Sequence, residues 1–243
     1  MKKILMFLLA LTLCVGLCAC GAGKVEGRGY GSPEEAVLAY AEALQAGDVK
    51  KILKTFAIET YVDNFDLEER VERMRVYSRA SDGLPLAGDS YSREVNLIDR
   101  QAAIIRNLKF LYLGVALEWD EESMISLAGG GYADAEDLVD ALTLDDWSDI
   151  LADMRFDDDF IYLDDILEEG PAERSEEVLK ENRKTYGCDK IETLALEIEL
   201  DGEDMYLCMD VACYDGKWYC LTQGGMIGSL MGIPMLHGGV ALD

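Results

Sequence analysis

The chain has 243 residues, of which 50% are hydrophobic, enough for one sizeable packed core or two small ones and too many for a disordered chain. Its 48 acidic side chains outnumber 22 Lys and Arg, leaving a formal net charge of −26. That balance excludes nucleic acid as a partner, since phosphate binding needs clustered cations, and an anionic bilayer would repel the average surface.

Lys2 and Lys3 precede an almost wholly apolar run, Ile4 to Val15, the layout of a secretory leader. A spanning helix would need about 20 such residues. Three cysteines close the run, and only Cys20 follows a small residue, Ala19, with Leu17 three positions before it. The stretch Leu17-Cys18-Ala19-Cys20 resembles the lipobox of bacterial lipoproteins. The resemblance implies cleavage between Ala19 and Cys20 and acylation of Cys20 with palmitate-like chains. The partner is then a membrane, reached through the lipid anchor, and the location is the outer side of the cell membrane. An ordinary secretory leader cut nearby is the alternative. Two or more acyl chains suffice for stable anchoring, at about 0.8 kcal/mol for each buried methylene.

Residues 1–19 are thus read as a signal peptide and 20–31 as the lipidated cysteine with a tether. Five of the eleven residues from Gly21 to Gly31 are glycine, and a coil of that length reaches about 18 Å. A single domain is expected over 32–223, with a mostly helical insertion at about 58–186, and a Gly- and Met-rich tail over 224–243.

The body opens on Ser32, Pro33 and Glu35, an S-x-x-E capping box with proline at the first helical position. Val37, Tyr40, Ala41 and Leu44 follow at helical spacing. Gly47 suits a left-handed cap, and Asp48 starts a second helix bearing Ile52, Leu53 and Phe56. Further helices are expected at 66–80, opened by Asp66 and Glu69, and at 92–113, with Val95, Ile98, Ala102, Ile105 and Tyr112 on its apolar face. AEDLVDAL, DDWSDILADM and PAERSEEVLKENRKTY read as helices too.

From residue 191 the period changes to two. Asp201-Gly202 and Asp215-Gly216 turns divide the segment into a three-stranded antiparallel meander, or a larger curved sheet. Two-residue hairpins pair Leu200 with Glu203 and Tyr214 with Lys217. That register puts Leu194, Leu196, Ile198, Met205, Leu207, Met209, Val211, Cys213, Trp218 and Cys220 on one face. Glu197, Glu199, Asp204, Asp210 and Lys217 take the other. The fold class is therefore α+β.

The opening helix pair with its A-G-D corner, and the strands ending in D-G-K-W-Y, resemble the nuclear-transport-factor-2-like, cystatin-like superfamily. The resemblance covers 31–56 and about 190–222. It implies a cone of curved sheet around the first helix, with a concave pocket that Tyr40, Trp218 and Cys220 could line. Ketosteroid-isomerase-like members use pocket acids and a tyrosine for proton transfer.

No catalytic constellation is present. His237 is the only histidine and lies far from any nucleophile context, and H-E-x-x-H, paired C-x-x-C, P-loop and G-x-S-x-G motifs are all missing. No cofactor is implied. Cys188, Cys208, Cys213 and Cys220 are open to two readings, free packed thiols or one disulfide. Residues 118–170 hold 19 acids against Arg155 alone, which reads as solvated helix faces neutralised in part by Arg70, Arg73, Arg75 and Arg79, or as a weak calcium site through Asp157, Asp158, Asp159, Asp164 and Asp165. The function expected is a lipid-anchored envelope module binding a protein or small molecule. A pocket enzyme of the ketosteroid-isomerase-like type and a calcium-dependent envelope protein are the alternatives.

Overall fold

A computed structural model describes residues 24–74, 89–116, 147–166, 169–200, 202–230 and 239–241. Helix α1 (Pro33–Gln45) is capped by Ser32, whose hydroxyl accepts from the Glu35 amide at 3.2 Å. Glu35 returns the bond to Gly31 at 2.8 Å, one residue upstream of the cap itself. Gly47 takes a positive φ, and the Asp48 carboxylate caps α2 (Val49–Thr55) through the Lys51 amide. Helices α3 (Glu59–Asn64), α4 (Leu67–Met74), α5 (Ser90–Ala116) and α6 (Trp147–Ala152) follow. Asp66 caps α4 through the Glu69 amide at 2.9 Å, as the box predicts.

The mostly helical middle also holds a strand that the pattern does not mark, β1 (Arg155–Tyr162), an edge strand, RFDDDFIY, that pairs antiparallel with β2 (Lys190–Leu200). Its three consecutive aspartates erase the alternation that would mark a strand. They sit where the pairing register shifts between Phe156 and Phe160, so the strand bulges there and pairs on either side. Short α7 (Leu163–Ile166) and long α8 (Glu169–Tyr186) lead into β2.

The meander is as expected. Leu200 pairs with Glu203 and Tyr214 with Lys217, joining β2 to β3 (Glu203–Tyr214) and β3 to β4 (Lys217–Gln223). Asp215 and Gly216 both have positive φ, the I′ geometry whose twist matches the strands. The tail then joins the body. Helix α9 (Gly225–Leu230) crosses the outer face, and β5 (Gly239–Ala241) pairs with Met205–Leu207. The sheet has five strands in order β1-β2-β3-β4, with β5 also on β3.

Both faces of the sheet are covered. The inner face, Leu194, Leu196, Ile198, Met205, Leu207, Met209, Val211 and Cys220, packs on α1 and α2, with Ile104, Leu108 and Leu111 of α5 in the same core. On the outer face Ala212, Tyr214, Tyr219 and Leu221 form a second cluster with Ala57 and Cys188. Ala195, Cys208 and Ile227 of α9 form a third. Cys188 therefore belongs to the outer layer.

Helix α5 is rotated from its expected phase. Ile98 is 62% exposed and Val95 lies at the surface. Asn96, Ile104, Leu108 and Leu111 are buried and Leu97 and Arg100 half-buried. At the surface Arg93 grips Asp63 of α3, and Arg100 donates to Ala57 O at 3.1 Å and Leu221 O at 2.5 Å while stacking on Tyr61. A reading based on apolar residues alone passes over a buried face that includes Asn96 and Arg100. Truncating Leu111 to Ala should cost about 2–5 kcal/mol in urea unfolding, whereas Ile98→Ala should stay within about 0.5 kcal/mol. Equal costs would restore the original phase.

Candidate functional site

Two features of the described chain have the makings of a functional surface: the segment that follows Cys20, and a cavity at one end of the sheet.

Residues 24–31 belong to the expected tether, yet they are bonded into the body. Tyr30 exchanges backbone hydrogen bonds with Trp218 at 2.9 and 3.0 Å, lying antiparallel to β4, and Gly27 donates to Lys54 O at 2.9 Å. Upstream, two glutamates form a reciprocal clasp. Glu26, with its side chain fully buried, accepts from the amides of Ile58 and Thr60 at 2.7 and 2.8 Å and from the Thr60 hydroxyl at 2.5 Å. Glu59 accepts from the amides of Val25 and Glu26 at 2.7 and 3.0 Å. Lys24 adds an ion pair to Glu26 at 3.2 Å. Five donors and two carboxylates thus hold this strap without a regular strand. Glycine permits the close approach: a Cβ on Gly27 would stand 2.6 Å from Lys54 O.

The cavity, of about 800 Å³, lies between α8, the β1–α7 junction and the start of β2. Glu176, Glu177, Lys180 and Arg183 of α8 face Lys190 and Glu192 of β2 across an apolar base that includes Leu163 and Ile191. The volume falls within the range of small-molecule sites, and its mixed charge suits a polar ligand carrying both signs. At its rim Tyr162 donates to Glu34 of α1 at 2.9 Å, and burial together with that bond pushes its phenol up to about 12. Partial burial also raises Glu192. Glu192 stands on β2 opposite side chains of α8, the helix that leads directly into that strand.

Tyr40 and Cys220, expected at a concave mouth, come together in the closed core instead. Tyr40 meets Phe56 edge-on at 5.7 Å and accepts from Gln223 Nε2 at 3.2 Å. Cys220 lies against Ala36 O at 3.4 Å. Trp218 is half-buried at the strap. Ile104, Leu108 and Leu111 of α5 pack in the same closed core. Cys188, Cys208, Cys213 and Cys220 are free and buried. Burial pushes the Cys188, Cys208 and Cys220 thiols up to about 12.

Asp157, Asp158 and Asp159 lie on the exposed part of β1, and among the described residues no group of three or more His, Cys, Asp or Glu is placed to hold a metal ion. Arg73 is spent on Asn182 of α8 at 2.7 Å. Arg75, Arg79, His237, Ala19, Cys20 and the segment AEDLVDAL lie outside the described residues. No helix among the described residues is long and apolar enough to cross a membrane.

Asp210 is a buried carboxyl on the outer face, between Thr193 and Thr222 on the neighbouring strands. It accepts from the Met226 amide at 2.8 Å, and Thr193 accepts from Ile227 at 3.1 Å, so two strand side chains cap α9. Gly225 is obligatory there, since a Cβ would stand 2.2 Å from Asp210 Oδ1.

No family model matches the chain, and no curated protein matches it. Among solved structures, a cystatin-like protein from Ruminococcus gnavus ATCC 29149 is similar at 11% identity and a TM-score of 0.46, over 87% of this chain. The matched part spans 45% of that protein's chain.

Two substitutions probe these carboxylates. Glu26→Ala leaves three buried donors without their acceptor and should cost about 3 kcal/mol in urea unfolding, against about 1 kcal/mol or less for the exposed Glu35→Ala. Burial pushes the Asp210 carboxyl up to about 6 from 3.8. A raised acid pKa burdens the fold at neutral pH, and the burden lifts as pH falls from about 6 towards 4. Asp210→Asn keeps an acceptor for Met226, so it should be neutral or stabilising by about 1–3 kcal/mol above pH 7 and should flatten stability across that window.

Proposed function

We propose that this chain is a lipid-anchored binding module of the bacterial cell envelope, built on a cystatin-like α+β core. The observation that carries the reading is the leader, in which Cys20 alone of three cysteines follows a small residue at the end of an apolar run. The clasp adds to it. Lys24, the first described residue, is four positions after Cys20, and from there the chain is already bonded to the body.

The cavity under α8 is the proposed ligand site, with Arg183, Lys180 and Lys190 for an anionic group and Glu176, Glu177 and Glu192 for a cationic one. This division suits a zwitterionic or peptide-like ligand. A pocket enzyme would call for an ionisable group in the inner core. The buried carboxyls among the described residues, Glu26 and Asp210, are both committed to backbone amides.

The address is tested in growing cells fed a clickable fatty acid. The native chain should carry label and an acylated N-terminal mass beginning at Cys20, and Cys20→Ala should lose both. An unlabelled native product released into the medium, or one starting elsewhere, would sink the anchored reading.

A further inference from the structure

The strap binds the body at a particular place. It runs beside β4 and over α2, where several exposed cations gather. Lys50, Lys51 and Lys54 project from α2 while Ile52, Leu53 and Thr55 face the core. Lys54 also supplies the carbonyl that holds Gly27, and Lys217 opens β4 directly beside Gly29. Lys24 and Arg28 belong to the strap, and both are exposed.

The acids within the same segments are mostly engaged. Glu26 is buried in the clasp, and Asp48 caps α2 with Lys51 3.7 Å away, leaving Asp215 in the turn as the exposed opponent of Lys217. At the other edge of the sheet lies β1 with Asp157, Asp158 and Asp159, three strands and so about 14 Å from β4. A protein of strong net negative charge thus presents a basic edge beside its N-terminal strap and an acidic edge away from it.

We infer that the strap–α2 edge is the face laid against the membrane, where Lys24, Arg28, Lys50, Lys51, Lys54 and Lys217 meet the phosphates of anionic phospholipids. The inference rests on the proposed Cys20 anchor. Three residues, Gly21 to Gly23, separate Cys20 from Lys24, so the four steps between them put the bilayer surface within about 14 Å of the clasp. Within a Debye length of the bilayer, roughly 8–10 Å, the basic edge is attracted, whereas the acidic edge, about 14 Å farther across the sheet, is largely screened from it. The anchor supplies the holding force and the charge asymmetry selects the orientation.

The test supplies the anchor chemically, so that its outcome does not depend on whether cells acylate the chain. The chain from Cys20 onward, which contains every described residue, is coupled through that thiol to a maleimide lipid. The other four cysteines are buried. Lysine acetylation is then followed residue by residue by mass spectrometry. On phosphatidylglycerol-containing vesicles, Lys50, Lys51, Lys54 and Lys217 should react about fivefold or more slowly than on pure phosphatidylcholine. Lys180, Lys184 and Lys190, exposed on the α8 side, should be unchanged. The triple variant Lys50→Glu, Lys51→Glu, Lys54→Glu should abolish the lipid dependence at Lys217.

Equal rates at both sets of lysines, or stronger protection on the α8 side, would overturn the orientation. Equally strong protection by soluble polyphosphate, with no vesicle present, would move the assignment from a bilayer to a phosphate polymer and overturn it too. Absence of acyl mass in cells, with the lysine pattern intact, would sink the anchored reading and leave the orientation of the coupled chain standing.

Discussion

Glu26 accepts the amides on either side of Glu59, and Glu59 accepts those of Val25 and Glu26, and this exchange binds the beginning of the folded chain to its middle. A carboxylate can satisfy several N–H donors at once, which a single backbone carbonyl pair does less compactly. Here two side chains replace a stretch of ladder hydrogen bonds along a segment too glycine-rich to form a strand by propensity. The antiparallel contact of Tyr30 with Trp218 then extends the same attachment along β4. Through the clasp, α3 is tied to the strap. Through Arg93 and Asp63, α5 is tied to α3, and through Arg100 it reaches the edge of the sheet.

That chain of polar contacts explains why the inner core is closed. Arg100 fixes the rotation of α5 by satisfying the carbonyls of Ala57 and Leu221, and Ile104, Leu108 and Leu111 are carried into the space between sheet and first helices. The described residues thus enclose a filled core between the sheet and the first helices, and an open cavity lies on the α8 side, where side chains of both charges converge.

Much of this was legible in the residues. Capping signals at Ser32, Asp48 and Asp66 mark three helix starts, and the two Asp-Gly turns with their alternating flanks set the register of β2 on β3, and of β3 on β4 as far as Val211, beyond which a bulge moves Asp210 onto Thr222. What escaped shares one physical cause: long-range partners. The strand β1 exists because β2 offers it an edge, and its aspartates hide the alternation. The strap is ordered by Glu59 and Thr60, more than thirty positions away, so its glycines read as a flexible coil. The outer face looked polar from Glu197, Glu199 and Asp204, yet α8 and α9 cover the part around Asp210. Tyr40 and Cys220 fill the inner core together with side chains of α5, and Trp218 lies half-buried beside the strap, a placement that α5 decides from a distance in sequence.

The account turns on the strap being part of the folded body and not a loose leash. Native-state hydrogen exchange of the full chain measures this at the amides of Val25, Glu26, Gly27, Tyr30, Ile58 and Thr60. They should be protected to a degree comparable with the amides of β4 and lose protection together with it as denaturant is raised. Exchange of the strap amides at the rate of an unstructured peptide, while β4 stays protected, would contradict the account.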